Sequence, residues 1–334
     1  MTIFDRLTRF VNDVFKTTVD IFLEALRMSP NAQGYVSGSI TELLLKGELE
    51  KRYTLQVKRI REKWEGIKHP QHHGDFYFCD PSVGDWFVME SKGVKSNAEK
   101  WHKLYNYENL KAFLLQHADK IDWVNANADK EPQIAAWIAA NLPQMLSEYS
   151  STLYDFEEIR KYPVATPRRP TVKSQAIAAL RDLTREEIAN RIKDRLQYVL
   201  SKVKVLETHF VSGTSKSSER TQATPRKDEF NVLSVDIFLR YSEHKFLFAN
   251  PKQLDSSGAD ANHLQQNYIM GFVFVEDDGT LRLSVTEEWC ENLSDILDTL
   301  NAGDAVREAD MQVDNRNVAV VEIDYYGGSV SEDE

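Results

Sequence analysis

The feature that most constrains this chain is a pair of short aromatic and β-branched runs separated by turn-forming residues. Gly74-Asp75-Phe76-Tyr77-Phe78 and Trp86-Phe87-Val88-Met89-Glu90-Ser91-Lys92 each read as a strand. Between them, Asp80-Pro81-Ser82-Val83-Gly84-Asp85 is turn-forming, so the two runs are expected to pair as a hairpin. Side chains alternate along a strand, which sends Glu90 and Lys92 to one face. Asp75, at the start of the neighbouring strand, can meet them there, and two carboxylates and one ammonium then converge.

Such a group suits hydrolysis of a phosphodiester assisted by a hard divalent cation. Mg²⁺ prefers oxygen ligands, keeps several waters, and is held by one or two carboxylates plus substrate phosphate. The ion polarises the phosphate and acidifies a bound water, which a neighbouring lysine orients or deprotonates. The alternative is a solvated hairpin with ordinary charges. Against it, Asp and Glu are poor strand formers and need a reason to be there.

At these residues the chain resembles a known group. Asp75, fourteen intervening residues and Glu90-Ser91-Lys92 are similar to the PD-(D/E)XK nuclease signature, with Gly74 where the motif has proline. The surroundings, Asn31-Ala32-Gln33-Gly34-Tyr35-Val36-Ser37-Gly38, Arg61-Glu62-Lys63-Trp64-Glu65-Gly66, His72-His73-Gly74-Asp75 and Glu90-Ser91-Lys92-Gly93-Val94-Lys95-Ser96-Asn97, resemble a type II restriction endonuclease. The resemblance covers about residues 30–105. It implies an α/β fold, a PD-(D/E)XK-type mixed β-sheet flanked by helices, with a second α+β domain. It implies Mg²⁺ held by Asp75 and Glu90, Lys92 positioning the attacking water, and Glu42 as a possible additional acid. Double-stranded DNA is then the partner, cutting both strands of a symmetric site favours a homodimer, and a cognate DNA methyltransferase is an implied companion.

With 334 residues the chain can bury a large core and is expected to form two domains. A catalytic domain is expected over 1–161, a Pro/Arg-rich linker over 162–173, an α+β domain for DNA recognition or dimerisation over 174–326, and an acidic tail over 327–334. The net charge of −11 does not argue against DNA once dissected. Residues 276–334 hold 17 acidic and 3 basic side chains, net −14, and the rest hold 38 basic and 35 acidic, net +3. Phosphate contacts act over about a Debye length, so a locally basic cleft suffices. Cys79 and Cys290, with no CxxC pair, give neither a zinc site nor a disulfide framework. No apolar run reaches the roughly 18 residues of a membrane span, and the amino terminus is unlike a signal peptide, so a cytoplasmic protein is expected.

In chain order, residues 3–28 carry apolar residues near a helical period, ending at Ser29-Pro30. A second helix follows Gly34–Ser39 through Glu42 and Leu45. Residues 51–63 are basic, with a strand at Tyr53, Leu55 and Val57; Lys58, Arg59 and Arg61 are candidates for phosphates. His69, His72 and His73 lack a fourth ligand for tetrahedral zinc, and His73 is better used near the scissile phosphate. Lys95, Ser96 and Asn97 form a loop suited to a DNA backbone, and 120–124 is a candidate third strand. Arg168 and Arg169 in the linker, and Lys216, Arg220 and Arg226 around the loop 213–227, are further DNA-binding candidates. Thr184-Arg185-Glu186-Glu187 is a capping box opening a helix to about 202. Strands are expected at 203–211, 233–239, 245–249, 268–276, 280–286 and 317–325. Asp236 and Lys252 imitate the nuclease signature with Asn250 in place of the second acid, which makes them a rival centre. Walker A, HExxH, GxGxxG and nucleophile-elbow motifs are not found.

These observations favour a site-specific deoxyribonuclease. A structure-selective repair or recombination nuclease on the same core and a non-catalytic DNA-binding protein are the competing readings.

Overall fold

The computed structural model describes residues 2–61, 73–94, 104, 107–146, 184–208, 210, 224–258 and 260–314. These residues are mixed α/β, with a mixed β-sheet flanked by helices. Contacts divide the chain into two units, one of residues 1–92 with 305–334 and one of residues 93–304. The division therefore does not fall at the expected linker. Residues 162–173 and the acidic tail lie outside the described residues.

The first unit begins with three helices, α1 (Ile3–Phe15), α2 (Val19–Met28) and α3 (Pro30–Lys51). The sequence predicts one helix over 3–28, and the structure breaks it. Lys16 adopts a left-handed φ of 53°, and the Thr18 hydroxyl accepts the Ile21 N–H at 3.4 Å, starting a new helix. Ser29 caps α3, and Pro30 takes its first position, where proline costs no hydrogen bond. The helix therefore starts ahead of Gly34 rather than after it.

Leu45 and Leu49 in the second half of α3 are fully buried, and Leu49 O accepts the Leu55 N–H at 3.0 Å, leading the chain into sheet. Strands β1 (Gln56–Arg59), β2 (Phe76–Cys79) and β3 (Trp86–Gly93) form an antiparallel meander. The β2–β3 register, Phe76 opposite Met89 and Cys79 opposite Trp86, is that of the expected hairpin. Asp80 O accepts the N–H groups of Val83 (3.0 Å) and Gly84 (2.9 Å), and Gly84 takes a φ of 89° to close the turn. All four β2 side chains are buried, each large one contributing about 1.5–3 kcal/mol of burial free energy.

Residues 305–314 close the unit. Val306 N–H donates to Trp86 O (2.7 Å), Arg61 N–H to Gln312 O (2.8 Å), Asp314 N–H to Arg59 O (2.8 Å), and Gln312 N–H to the Tyr77 hydroxyl (3.0 Å).

The second unit contains α4 (Tyr107–Gln116), α5 (Lys130–Asn141) and α6 (Arg185–Leu200). Its antiparallel sheet has the order β10-β9-β4, from β4 (Val203–Glu207), β9 (Ile269–Val275) and β10 (Leu281–Val285). A hairpin joins β5 (Val232–Asp236) to β6 (Phe246–Ala249) through the short α7 (Phe238–Tyr241). A small ribbon, β7 (Ser256–Ser257) with β8 (Asp260–Leu264), and α8 (Leu293–Leu297) complete it. The capping box at Thr184 and Glu187 is formed.

Residues 120–124 are not a strand. A 3₁₀ turn over Ala118–Lys120 runs into a bend in which Val124 N–H donates to Ile121 O. The apolar residues there fill the helical core instead: Ile121 and Val124 are buried, and Trp123 stacks on Trp137 at 5.6 Å. The last expected strand, 317–325, lies outside the described residues.

Candidate active site

Within the first unit, the alternation of β3 puts Ser91 in the core and leaves Glu90 and Lys92 half-buried on the other face. Lys92 Nζ donates to Glu90 Oε1. Asp75, one residue ahead of β2, hands its N–H to Met89 O at 2.9 Å, and its Oδ2 accepts the Ser91 N–H at 2.7 Å. The Asp75 carboxylate is thereby held at the backbone of the residue between Glu90 and Lys92. The hairpin brings together the three groups that the sequence singles out.

Gly74 has a packing reason to lack a side chain. A Cβ there would lie 2.5 Å from Val88 Cγ1 and 2.9 Å from Met89 O. Only a residue without a side chain lets the strand carrying Asp75 approach β3 this closely.

Charge around Lys92 is strongly negative. Burial pulls its pKa down, but Glu90, Asp75 and Glu42 outweigh this and hold it above the ordinary lysine value. Lys92 therefore stays an ammonium at neutral pH, a donor and not a base while it rests on Glu90. Glu42, on α3, contributes to this field and also accepts Arg59 Nη2 at 2.6 Å. Among the described residues no three His, Cys, Asp or Glu side chains form a ready-made metal cage. One or two carboxylates completed by phosphate oxygens and water are what Mg²⁺ uses, and Asp75 and Glu90 fit that donor set.

The basic candidates are placed less simply. Lys58 pairs with Glu308 at 2.6 Å and lies over the Trp86 ring at 4.2 Å, so it is engaged in an ion pair and a cation–π contact. Arg59 is the partner of Glu42. Arg61 is half-buried, and His73 is exposed immediately ahead of Gly74. In the second unit, the Arg226 guanidinium forks onto Asp228 through Nε (2.8 Å) and Nη2 (2.7 Å). Lys95, Ser96, Asn97, Arg168, Arg169, Lys216 and Arg220 lie outside the described residues.

The rival pair Asp236 and Lys252 is not brought together. Asp236 opposes Phe246 at one end of the β5–β6 hairpin, whereas Lys252 lies beyond Ala249, which opposes Leu233 at the other end. Lys252 Nζ bonds Asp304 at 2.5 Å. Asp236 instead forms an arrangement that sequence reading missed. Its Oδ2 lies 2.6 Å from His244 Nδ1, its Oδ1 accepts the Phe238 N–H at 2.9 Å, and the Phe238 ring stacks on the imidazole at 4.3 Å. The signal was an Asp and a His eight residues apart across a turn, legible only once the hairpin register is known. The second unit also holds a cavity of about 260 Å³ whose lining includes Asn231, Asn250, Lys252 and Asp304.

No helix among the described residues is long and apolar enough to cross a membrane. No protein-family model, curated protein or solved structure matches this chain.

Proposed function

We propose that this chain is a Mg²⁺-dependent, site-specific double-stranded DNA endonuclease of the type II restriction class, built on a PD-(D/E)XK core. The observation that carries this reading is the Asp75–Glu90–Lys92 group on one hairpin, with Asp75 tied to the Ser91 amide and Lys92 resting on Glu90. Asp75 and Glu90 would hold the ion, which when bound polarises the scissile phosphate and lowers the pKa of a coordinated water.

The chain's own residues do the rest. The Ser91 N–H fixes one oxygen of Asp75 so that its carboxylate does not have to be ordered on binding. Lys92, kept protonated by its acidic neighbours, donates to the attacking water or to a phosphate oxygen and offsets negative charge as it accumulates. Glu42 holds Arg59 in an ion pair beside this group, a cation that an incoming backbone would have to draw away from its carboxylate. A homodimer and a protecting methyltransferase belong to the same proposal, since a two-strand cutter would otherwise damage its host.

The test is digestion of unmethylated phage DNA with Mg²⁺ followed by sequencing of the ends. Discrete fragments with one recurring terminal sequence support the reading. Cutting confined to flaps, nicks or junctions would reassign the same centre to a structure-selective repair nuclease. DNA binding with no nicking in any divalent metal would leave a non-catalytic DNA-binding protein.

A further inference from the structure

An amphipathic helix in a folded domain turns its apolar stripe toward other protein. The amino-terminal arm of this chain does the opposite. In α1, the apolar positions 3, 4, 7, 10, 11 and 14 recur at helical spacing, yet Val11 is the one side chain of α1 that is buried. No residue of α2 is buried. Of the sixteen exposed large hydrophobic side chains among the described residues, eleven fall in residues 3–40. They include Phe4 (64% exposed), Phe10 (51%), Ile21 (60%), Met28 (71%) and Tyr35 (82%).

We propose that α1, α2 and the first half of α3 form the dimerisation surface of this protein, and that its occupant is the same arm of a second copy. Two properties of the arm select that partner. The first is area. Half-exposed large side chains offer on the order of 100 Å² each, so eleven supply roughly 1,000 Å², against the roughly 800 Å² per partner of a stable interface. Singly scattered apolar residues would need no explanation, but a patch of this size does.

The second property is charge. Residues 3–40 carry Asp5, Asp13, Asp20 and Glu24 against Arg6, Arg9, Lys16 and Arg27, a net of zero in a chain of −11. Several of these charges are paired within the arm, Arg9 with Asp13 at 3.6 Å and Arg27 with Glu24 at 2.6 Å. In a two-fold interface the same patch meets itself, so any net charge would repel its own copy. A neutral, aromatic-rich patch escapes that penalty. An anionic membrane or a nucleic acid would instead select an excess of Lys and Arg. Phe10, Phe15 and Phe22 are packed together, with centroids 5.9 Å and 5.0 Å apart, a rigid aromatic anchor of the kind that concentrates binding energy.

A homodimer is already part of the proposed function; the inference here is the surface, and its test does not depend on cleavage. The full chain and the double variant Phe4→Glu/Ile21→Glu are compared by sedimentation velocity over micromolar concentrations, with circular dichroism as a check on folding. The native chain should sediment as a dimer and the variant as a monomer of unchanged helicity. Val83→Glu, a charge placed at an exposed apolar residue outside the arm, should leave the dimer intact. Should the double variant misfold, Tyr35→Arg alone decides the matter by weakening dimerisation at least about tenfold, since each 1.4 kcal/mol lost is a factor of ten. A native monomer across the range, a dimer unmoved by the arm variants, or a monomer that binds neutral lipid vesicles through the arm would each overturn the proposal. A dimer that cuts no DNA would sink the nuclease reading while leaving this one standing.

Discussion

Lys92 and Gly74 show how single residues set the candidate centre. Because Lys92 has its pKa raised in the folded state by Glu90, Asp75 and Glu42, its stabilising effect is fully present below the ordinary lysine value of 10.5. It is lost as pH rises from there through the folded value. The difference in denaturant midpoint between the native chain and Lys92→Met should therefore be constant between pH 6 and 9 and shrink above about 10.5. The same substitution leaves the acidic group without its counter-charge. Ca²⁺ should consequently raise the melting temperature of Lys92→Met by more than that of the native chain, measured by calorimetry; an equal shift would argue that the carboxylates do not share a metal. Gly74→Ala should lower stability by about 1–3 kcal/mol, the usual cost of forcing extra atoms into a packed site. Its Cβ meets the backbone oxygen of Met89 at 2.9 Å, an atom that cannot swing aside.

The elements that could be read from sequence were those whose signal is local. The β2–β3 hairpin is legible because Asp80–Asp85 can only turn, and the α6 capping box because Thr184 and Glu187 satisfy each other three residues apart. The break inside the first helical pattern was missed because Thr18 competes locally as a cap within a periodic apolar run. Residues 120–124 looked like a strand because Ile121, Trp123 and Val124 are strand-formers, and tertiary packing against Trp137 and Phe274 overrode that preference. Residues 305–314 carry no local signal, and their role rests on bonds to β1, β2 and β3. Ending the chain after Asp304 should accordingly lower the melting temperature of the first unit and abolish any activity of the hairpin. Ending it after Asp314, which keeps the Arg59, Arg61, Trp86 and Tyr77 partners, should lower the melting temperature less; equal melting temperatures of the two truncations would show that 305–314 is dispensable.

At the scale of the whole molecule, the candidate chemistry draws on residues of one unit, and Asp75, Glu90 and Lys92 are legible in the sequence as one group because a short hairpin brings them together. The rival Asp236–Lys252 reading failed for the complementary reason. Its spacing copies the motif, but the β5–β6 register sends the two groups to opposite ends of their hairpin. What stayed illegible were partnerships between distant stretches, such as Lys58 with Glu308 and Glu42 with Arg59, which spacing cannot reveal. These pairs also change how a duplex would be gripped, since cations already matched to carboxylates must exchange partners to reach phosphate.

The most direct test is a paired assay on the native chain, Asp75→Ala and Lys92→Ala, scoring plasmid cleavage in Mg²⁺ and specific DNA binding in Ca²⁺. The account predicts discrete cleavage by the native chain, a loss of at least about 10²–10³-fold in both variants, and retained binding by all three. Cleavage that survives Lys92→Ala or Asp75→Ala would contradict it.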